Sequence, residues 1–271
     1  TLNMAKQPDI LELMRQANFM TVFVGIETPE EDALAGIDKK HNAAVPMYEA
    51  IETLNRYGLE VTSGIILGLD TDTDQSEQKL IDFIDKSAVP VLTMNLLQAL
   101  PKTPLWDRLT RENRLVHDAA LESNVLFKRP HDDVVASWRR AIAHAYEPAQ
   151  IFERFRHQVE VTYPNRIKTP VKGKLTRTNL RRGLVLGFNI AVRVGLLSDY
   201  RRVFWRAAGH ALKRGQIEAV FNMGFVAHHL IRFTREALRG EHNASFYAAK
   251  AEQKHNAREP WWRAARKFLP T

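Results

Sequence analysis

Cysteine is absent from all 271 residues of the chain. That absence excludes disulfides, a thiolate-ligated zinc site and a Cys-ligated iron–sulfur cluster built from this chain alone. It leaves the redox compartment unspecified. Long apolar runs are missing too. The longest in the second half, LVLGFNIAVRVGLL (184–197), has 14 residues and contains Arg193, whereas a bilayer span needs about 20 apolar residues. Residues 1–20 hold no basic start followed by an apolar run, so they carry no secretory pattern. Acidic residues are scarce in one half only. Residues 1–136 have 13 Lys and Arg against 22 Asp and Glu, while 137–271 have 26 against 9. The resulting −9 and +17 make up the net +8 of the whole, and such a split predicts two regions with different surroundings. The chain opens on TLNMAKQPDILELM without an initiating Met, and we expect it to be the interior of a larger protein.

Hydrophobic residues make up 45% of the chain, enough for a sizeable core. The first region alternates two periodicities. QPDILELMRQAN (7–18), AAVPMYEAIETLNRYG (43–58), QSEQKLIDFIDKSA (75–88) and TPLWDRLTREN (103–113) carry helical stripes. Gly58 is placed to stop the second helix. TVFVGIE (21–27), EVTSGIILGL (60–69) and PVLTMNLLQAL (90–100) read as buried strands between them. Strands separated by helices predict βαβ units and a parallel sheet, and three strands are too few to complete one of this kind. From about Val134 the strand pattern stops. VVASWRRAIAHAYE, AQIFERFRHQVEVTY, NLRRGLVLGFNIAVRVGLL, YRRVFWRAAGHALKR and IEAVFNMGFVAHHLIRFTREALRG are all amphipathic at helical spacing. The expected fold class is therefore α/β followed by all-α, with regions 1–128 and 129–271 meeting near LFKRPHDD.

Ligands of parallel α/β folds sit at the carboxyl ends of strands. Gly64 and Gly68 are four apart in one strand, hence on one face, with Ile66 between them. A Gly-Ile-Gly face is a shallow apolar shelf on which a flat heteroaromatic ring can lie against exposed backbone. Tight packing of a helix over the glycines is the other reading, and spacing alone leaves both open.

Three segments carry a family likeness. VFVGIETPEEDAL, GLEVTSGIILGLDTDT and LLQALPKTPLWDRLTRENRL, in this order and spacing, resemble the second half of a radical SAM domain. They are most like cobalamin-binding radical SAM proteins with a helical C-terminal extension, a subgroup that includes hopanoid methylases; YRRVFWRAAGHALKRG resembles that extension more loosely. The resemblance implies the second half of a partial TIM-type barrel, followed by a helical C-terminal domain. It implies S-adenosylmethionine (SAM), a 4Fe-4S cluster and cobalamin as cofactors, and methylation of an unactivated carbon. Gly64, Ile66 and Gly68 match the family strand that holds the adenine. Glu27 matches the polar position near the SAM ribose or amino-acid part, and Gln98 and Leu100 match the adenine edge. The cluster cysteines, the loop that binds the SAM amino group and the cobalamin domain match nothing in this chain. The chain alone is thus expected to be inactive, with the missing N-terminal half of the same protein as its first partner. No catalytic acid, base or nucleophile is assigned.

Other motifs read as structural. Asp70, Asp72 and Asp74 begin like a calcium loop, but Ile81 stands where the loop needs its bidentate glutamate. Asp72 or Asp74 is instead expected to cap the helix starting near Gln75. His228, His229 and His242 could gather a metal, yet adjacent histidines on a helix point about 100° apart. Tyr200, Phe204 and Trp205 among arginines read as helix packing before base stacking. The basic half fits an anionic membrane surface, an acidic partner or, ranked lower, nucleic acid. The chain is expected to be cytoplasmic, and a lipid-like substrate would make it peripheral to a membrane. The alternative to an enzyme part is a non-enzymatic interaction module that docks through its basic helices.

Overall fold

A computed structural model describes residues 2–30, 46–116, 122–167 and 176–240. After a 3-10 turn (Leu2–Lys6), helix α1 (Pro8–Gln16) leads to strand β1 (Thr21–Glu27). Helix α2 (Met47–Arg56), strand β2 (Glu60–Leu67), helix α3 (Ser76–Ser87), strand β3 (Val91–Leu96) and helix α4 (Pro104–Arg111) follow. The strands form one parallel sheet in the order β1-β2-β3. The rest is helical: α5 (His131–Ala145), α6 (Pro148–Val161), α7 (Arg177–Arg193), α8 (Arg201–Lys213), α9 (Ile217–Asn222), a π-turn (Met223–Ala227) and α10 (His228–Leu238). The fold is mixed α/β with a small parallel sheet and then helices, as expected from the change of periodicity.

Local chemistry sets several boundaries. Gly58 ends α2 with a φ of +82°, its N–H bonding Asn55 O at 2.9 Å while Leu59 N–H bonds Leu54 O at 3.1 Å. This pairing closes the last helical carbonyls, and only glycine adopts that φ cheaply. Strand β3 is shorter than PVLTMNLLQAL predicts. Leu97 N–H still bonds Leu67 O of β2 at 2.8 Å, but from its carbonyl onward the backbone turns to side chains of 123–124: Leu97 O accepts from Ser123 Oγ at 2.6 Å, and Ala99 exchanges two bonds with the Asn124 amide at 2.9 and 2.8 Å. The long final helical pattern 217–240 is broken by the π-turn, where Gly224 lets Ile190 approach; a Cβ there would lie 2.4 Å from the Ile190 side chain.

One face of the sheet is buried. Val24, Ile26, Val61, Ser63, Ile65, Leu67, Leu92, Met94 and Leu96 point into a core formed with α2, α3 and α5. That core runs on without a break through Trp138, Phe152, Phe155 and Phe204 to Ala237. The opposite face stays largely open, with Phe23 and Thr93 exposed and Gly64 and Ile66 half-buried.

The outer edge of β3 is closed by α5 and the residue after it. The Tyr146 hydroxyl accepts from Leu92 N at 3.1 Å and donates to Leu92 O, and Trp138 Nε1 donates to Met94 O at 2.9 Å. Both side chains are buried, so no water replaces these bonds. Tyr146→Phe keeps the ring and removes the hydroxyl, leaving a buried donor and a buried acceptor unmet. The expected cost is about 2–4 kcal/mol, read as a lower urea midpoint with an unchanged slope.

Candidate functional site

The open face of the sheet is built around two glycines side by side. Gly25 of β1 and Gly64 of β2 are register partners, and Gly64 pairs with Thr93 of β3 on its other side. One step towards the amino end, Phe23 lies opposite Thr62; one step towards the carboxyl end, Ile66 lies opposite Asn95. A strip of bare backbone therefore lies between an aromatic ring and an aliphatic side chain. A Cβ on Gly64 would come within 3.1 Å of the Phe23 ring tip and 3.5 Å of Thr93 Oγ1. Phe23 is 65% exposed and free to swing. The far end of the strip is walled by a second small cluster, Leu69, Leu97, Ala99, Leu109 and Val125, against which Ile66, Trp106 and Phe127 pack. The chemistry suits a flat ring: backbone floor, apolar ends, and at one side the Asn95 amide and the Thr93 hydroxyl, which donates to Ser63 O at 3.3 Å. Phe23, Gly25, Thr93 and Asn95 escaped sequence reasoning, because they lie on β1 and β3, on either side of the β2 motif, and only register brings them together.

The six expected site residues do not all join this strip. Gly64 and Ile66 do. Gly68 sits at the end of β2 with a φ of +88°, and its Cα side is filled by Phe127; a Cβ there would meet the ring at 2.6 Å. Gly68 is a glycine for conformation and for packing. Glu27 ends β1 past a bulge between Gly25 and Glu27, half-buried, with a left-handed φ of +67°. Left-handed backbone in a glutamate is strained, and such strain gathers at functional ends of strands. Gln98 spends its amide on the chain: Nε2 donates to Glu122 O at 2.8 Å and Oε1 accepts from Asn124 N at 3.3 Å. Leu100 is exposed, and its carbonyl accepts from Thr103 Oγ1 at 2.7 Å in the turn that starts α4.

The three aspartates after β2 divide their work. Asp70 takes a two-pronged bond from Arg114 at 2.6 and 3.0 Å and a further contact from Arg108 at 2.9 Å. The Arg114 guanidinium holds its carboxyl below the usual range. Asp74 pairs with Arg129 at 3.3 Å. Asp72 does not cap α3, contrary to expectation. The chain turns tightly, with Asp72 N–H bonding Leu69 O, and this swings the carboxylate back to accept Gly68 N at 2.7 Å and Leu69 N at 3.0 Å. Helix α3 begins at Gln75 with no side-chain cap, its approach held by Thr73 and Ser76 hydroxyls. Burial lifts Asp72 from 3.8 to about 6, and the nearby Glu30 adds to the rise.

Among the described residues no group of three or more His, Asp or Glu is placed to hold a metal ion. His228 Nδ1 bonds the Tyr200 hydroxyl, and His242 lies outside the described residues. Tyr200 and Phe204 are buried in helix packing, while Trp205 lies over Gly195 with its Nε1 on Gly195 O at 2.8 Å.

Residues 103–243, more than half the chain, match the family described as "Domain of unknown function (DUF4070)". The chain belongs to this family, the C-terminal domain family of cobalamin-binding radical SAM proteins. Curated relatives of the DUF4070 chain extend over the sheet as well. It is 50% identical over 253 residues, 93% of its length, to a hopanoid C-2 methylase of Rhodopseudomonas palustris, of which this covers 48%. It is 28% identical over 250 residues to an uncharacterized methyltransferase of Synechocystis, 89% of this chain and 45% of that protein. A third relative, 23% identical over 109 residues (40% of this chain, 24% of that one), is a bacteriochlorophyllide d C-12(1)-methyltransferase of Chlorobaculum tepidum. These homologues are methyltransferases, and the chain spans about half the length of the first two.

Two outcomes test the site's framework. Gly68→Ala combines left-handed backbone with the Phe127 clash and should cost about 2–3 kcal/mol. Adding Phe127→Ala should relieve only the clash, so chemical denaturation of the double variant should show non-additive costs. Asp72 binds its proton more tightly folded than unfolded. Its stabilising contribution is present at low pH and declines as pH rises from about 4 through about 6. Asp72→Asn should flatten that part of the stability–pH curve.

Proposed function

We propose that this chain forms the adenine-facing part of a SAM-dependent, cobalamin-dependent methylase acting on an unactivated carbon, with a lipid as the substrate class. The 50% identity to a hopanoid C-2 methylase over 93% of the chain carries the reading. The backbone strip at Gly25 and Gly64 supports it from the side of geometry. In this reading the sheet is part of a radical SAM barrel whose inner face is the open one. Further strands would join at β1, since the outer edge of β3 is sealed.

The residues present fit an adenine. The ring would lie on Gly64 between Phe23 and Ile66, with Asn95 and Thr93 within reach of its polar edge and Glu27 at the strand end near the ribose. The chain does not fit a thiolate-ligated cluster, having no cysteine, so those ligands come from outside this sequence. SAM and cobalamin, when bound, supply the methyl group and its carrier, and the protein supplies binding and orientation. Buried Glu60 and Tyr163, at the opposite end of β2, stand apart from this chemistry.

Calorimetric titration of SAM into the complete gene product that contains this chain tests the reading. Gly64→Val fills the strip: its Cβ meets the tip of the Phe23 ring, which is exposed and can move, and lies at an ordinary 3.5 Å from Thr93 Oγ1. Affinity should fall at least tenfold while the thermal midpoint stays within a few degrees. Unchanged affinity in Gly64→Val would remove the strip from the SAM site. Absence of SAM binding in the parent protein would favour a non-enzymatic docking module.

A further inference from the structure

We propose that α7 docks this chain on an anionic lipid bilayer, the helix lying in the headgroup plane with its apolar stripe facing the hydrocarbon. Leu180, Leu184 and Phe188 recur every four residues on one side of α7 and are 56%, 66% and 70% exposed. Val185 beside them is exposed as well, and Leu196 and Leu197 continue the exposed apolar surface just past the helix. Only the C-terminal end of α7 is anchored. Ile190 and Val194 enter the core, Ile190 against Gly224, and Gly195 sits under Trp205. Through its first three turns the side chains are exposed, and a Cβ at Gly183 or Gly187 would have nothing within 4 Å.

Charge selects the occupant. Residues 176–240 carry twelve Lys and Arg against three Asp and Glu. Arg177, Arg181, Arg182 and Arg193 of α7 have no carboxylate in ion-pair range among the described residues, so their charge is available to an outside partner. A second copy would bring two strongly positive surfaces together. A nucleic acid would satisfy the arginines and leave the leucines and Phe188 in water. A bilayer with anionic headgroups satisfies both. Beside the stripe, a groove of about 590 Å³ between α7 and α10 combines Leu186, Ile190 and Phe225 with Arg193, His229 and an Arg232–Glu236 pair at 3.3 Å. Its apolar wall and the Arg193 guanidinium together match an acyl chain and its anionic headgroup. No described helix is long and apolar enough to cross a membrane.

Co-sedimentation with phosphatidylcholine vesicles, with and without a quarter phosphatidylglycerol, tests the proposal on the complete gene product. Binding is expected to the mixed vesicles and to weaken with salt. Leu184→Glu with Phe188→Glu should weaken it at least tenfold, each side chain being worth about that factor on burial. Arg181→Gln with Arg182→Gln should weaken it by roughly fivefold per charge removed. These positions are exposed, so circular dichroism of both variants should match the parent. Binding that survives Leu184→Glu with Phe188→Glu overturns the proposal, as does equal absence of binding to both vesicle types. Retention of a duplex oligonucleotide without vesicle binding, or a dimer that the same double variant dissociates, overturns it in favour of those partners.

Discussion

Everything in this fold hangs on how β3 ends the sheet. A parallel sheet of three strands has two edges, and the buried one must satisfy its outward amides and carbonyls without water. Here Tyr146 serves both backbone groups of Leu92 and Trp138 serves Met94 O, while just before the strand Gln158 serves Ala88 O at the end of α3 at 2.9 Å. The ring bodies of Tyr146 and Trp138 belong to the same core as the strand side chains. Sealing the edge and attaching the helical half are thus one interaction. The sheet and the helices after residue 130 share a core because the helices carry the polar atoms that the strand lacks.

With that edge closed, the two ends of the sheet take different roles. At the amino end Arg166 bonds Met20 O at 2.7 Å, Gly58 O at 3.1 Å and Glu218 at 2.6 Å, while its guanidinium lies 4.2 Å from the Tyr163 ring centre. The Tyr163 hydroxyl in turn donates to Glu60 at 2.6 Å, and burial raises both groups from their ordinary values. Such a closed network fastens elements together and offers nothing to a ligand. At the carboxyl end the backbone is strained at Glu27 and left-handed at Gly68, and burial pushes the Asp72 carboxyl up to about 6. Strain and perturbed carboxyls collect where strands open toward a site.

Elements were legible where the cause is local. TVFVGIE is a strand over the residues its β-branched and aromatic run predicts, and Gly58 stops α2 because a helix end needs left-handed backbone. The site was legible in part for the same reason. Gly64 and Ile66 share the open face through the two-residue period of a strand. Gly68, in the same motif, answers to Phe127, nearly sixty residues away, and no spacing rule carries that information. Gln98 looks like a free amide at a strand end until residues 122–124 fold back onto it. Asp72 has the sequence position of a helix cap, but a single turn bond, Asp72 N–H to Leu69 O, points it the other way. Each departure has its partner far along the chain or its direction set by one bond.

The divided charge follows the same logic. Part of it is internal: Glu77 of α3 meets Arg140 of α5 at 2.5 Å, and the contacts of Asp85 with His144 at 2.6 Å and of Glu52 with His157 at 3.5 Å likewise join a helix beside the sheet to one beyond it. These pairs are largely exposed and add little stability singly. Their use is to set which face of α5 and α6 turns toward the sheet. The positive charge that remains falls on α7 and the segments packed at its end, where acids are few. The leucines and phenylalanine exposed beside that excess are costly to solubility unless something covers them. The same surface that strains the isolated chain is therefore the one suited to a partner that is both apolar and negative.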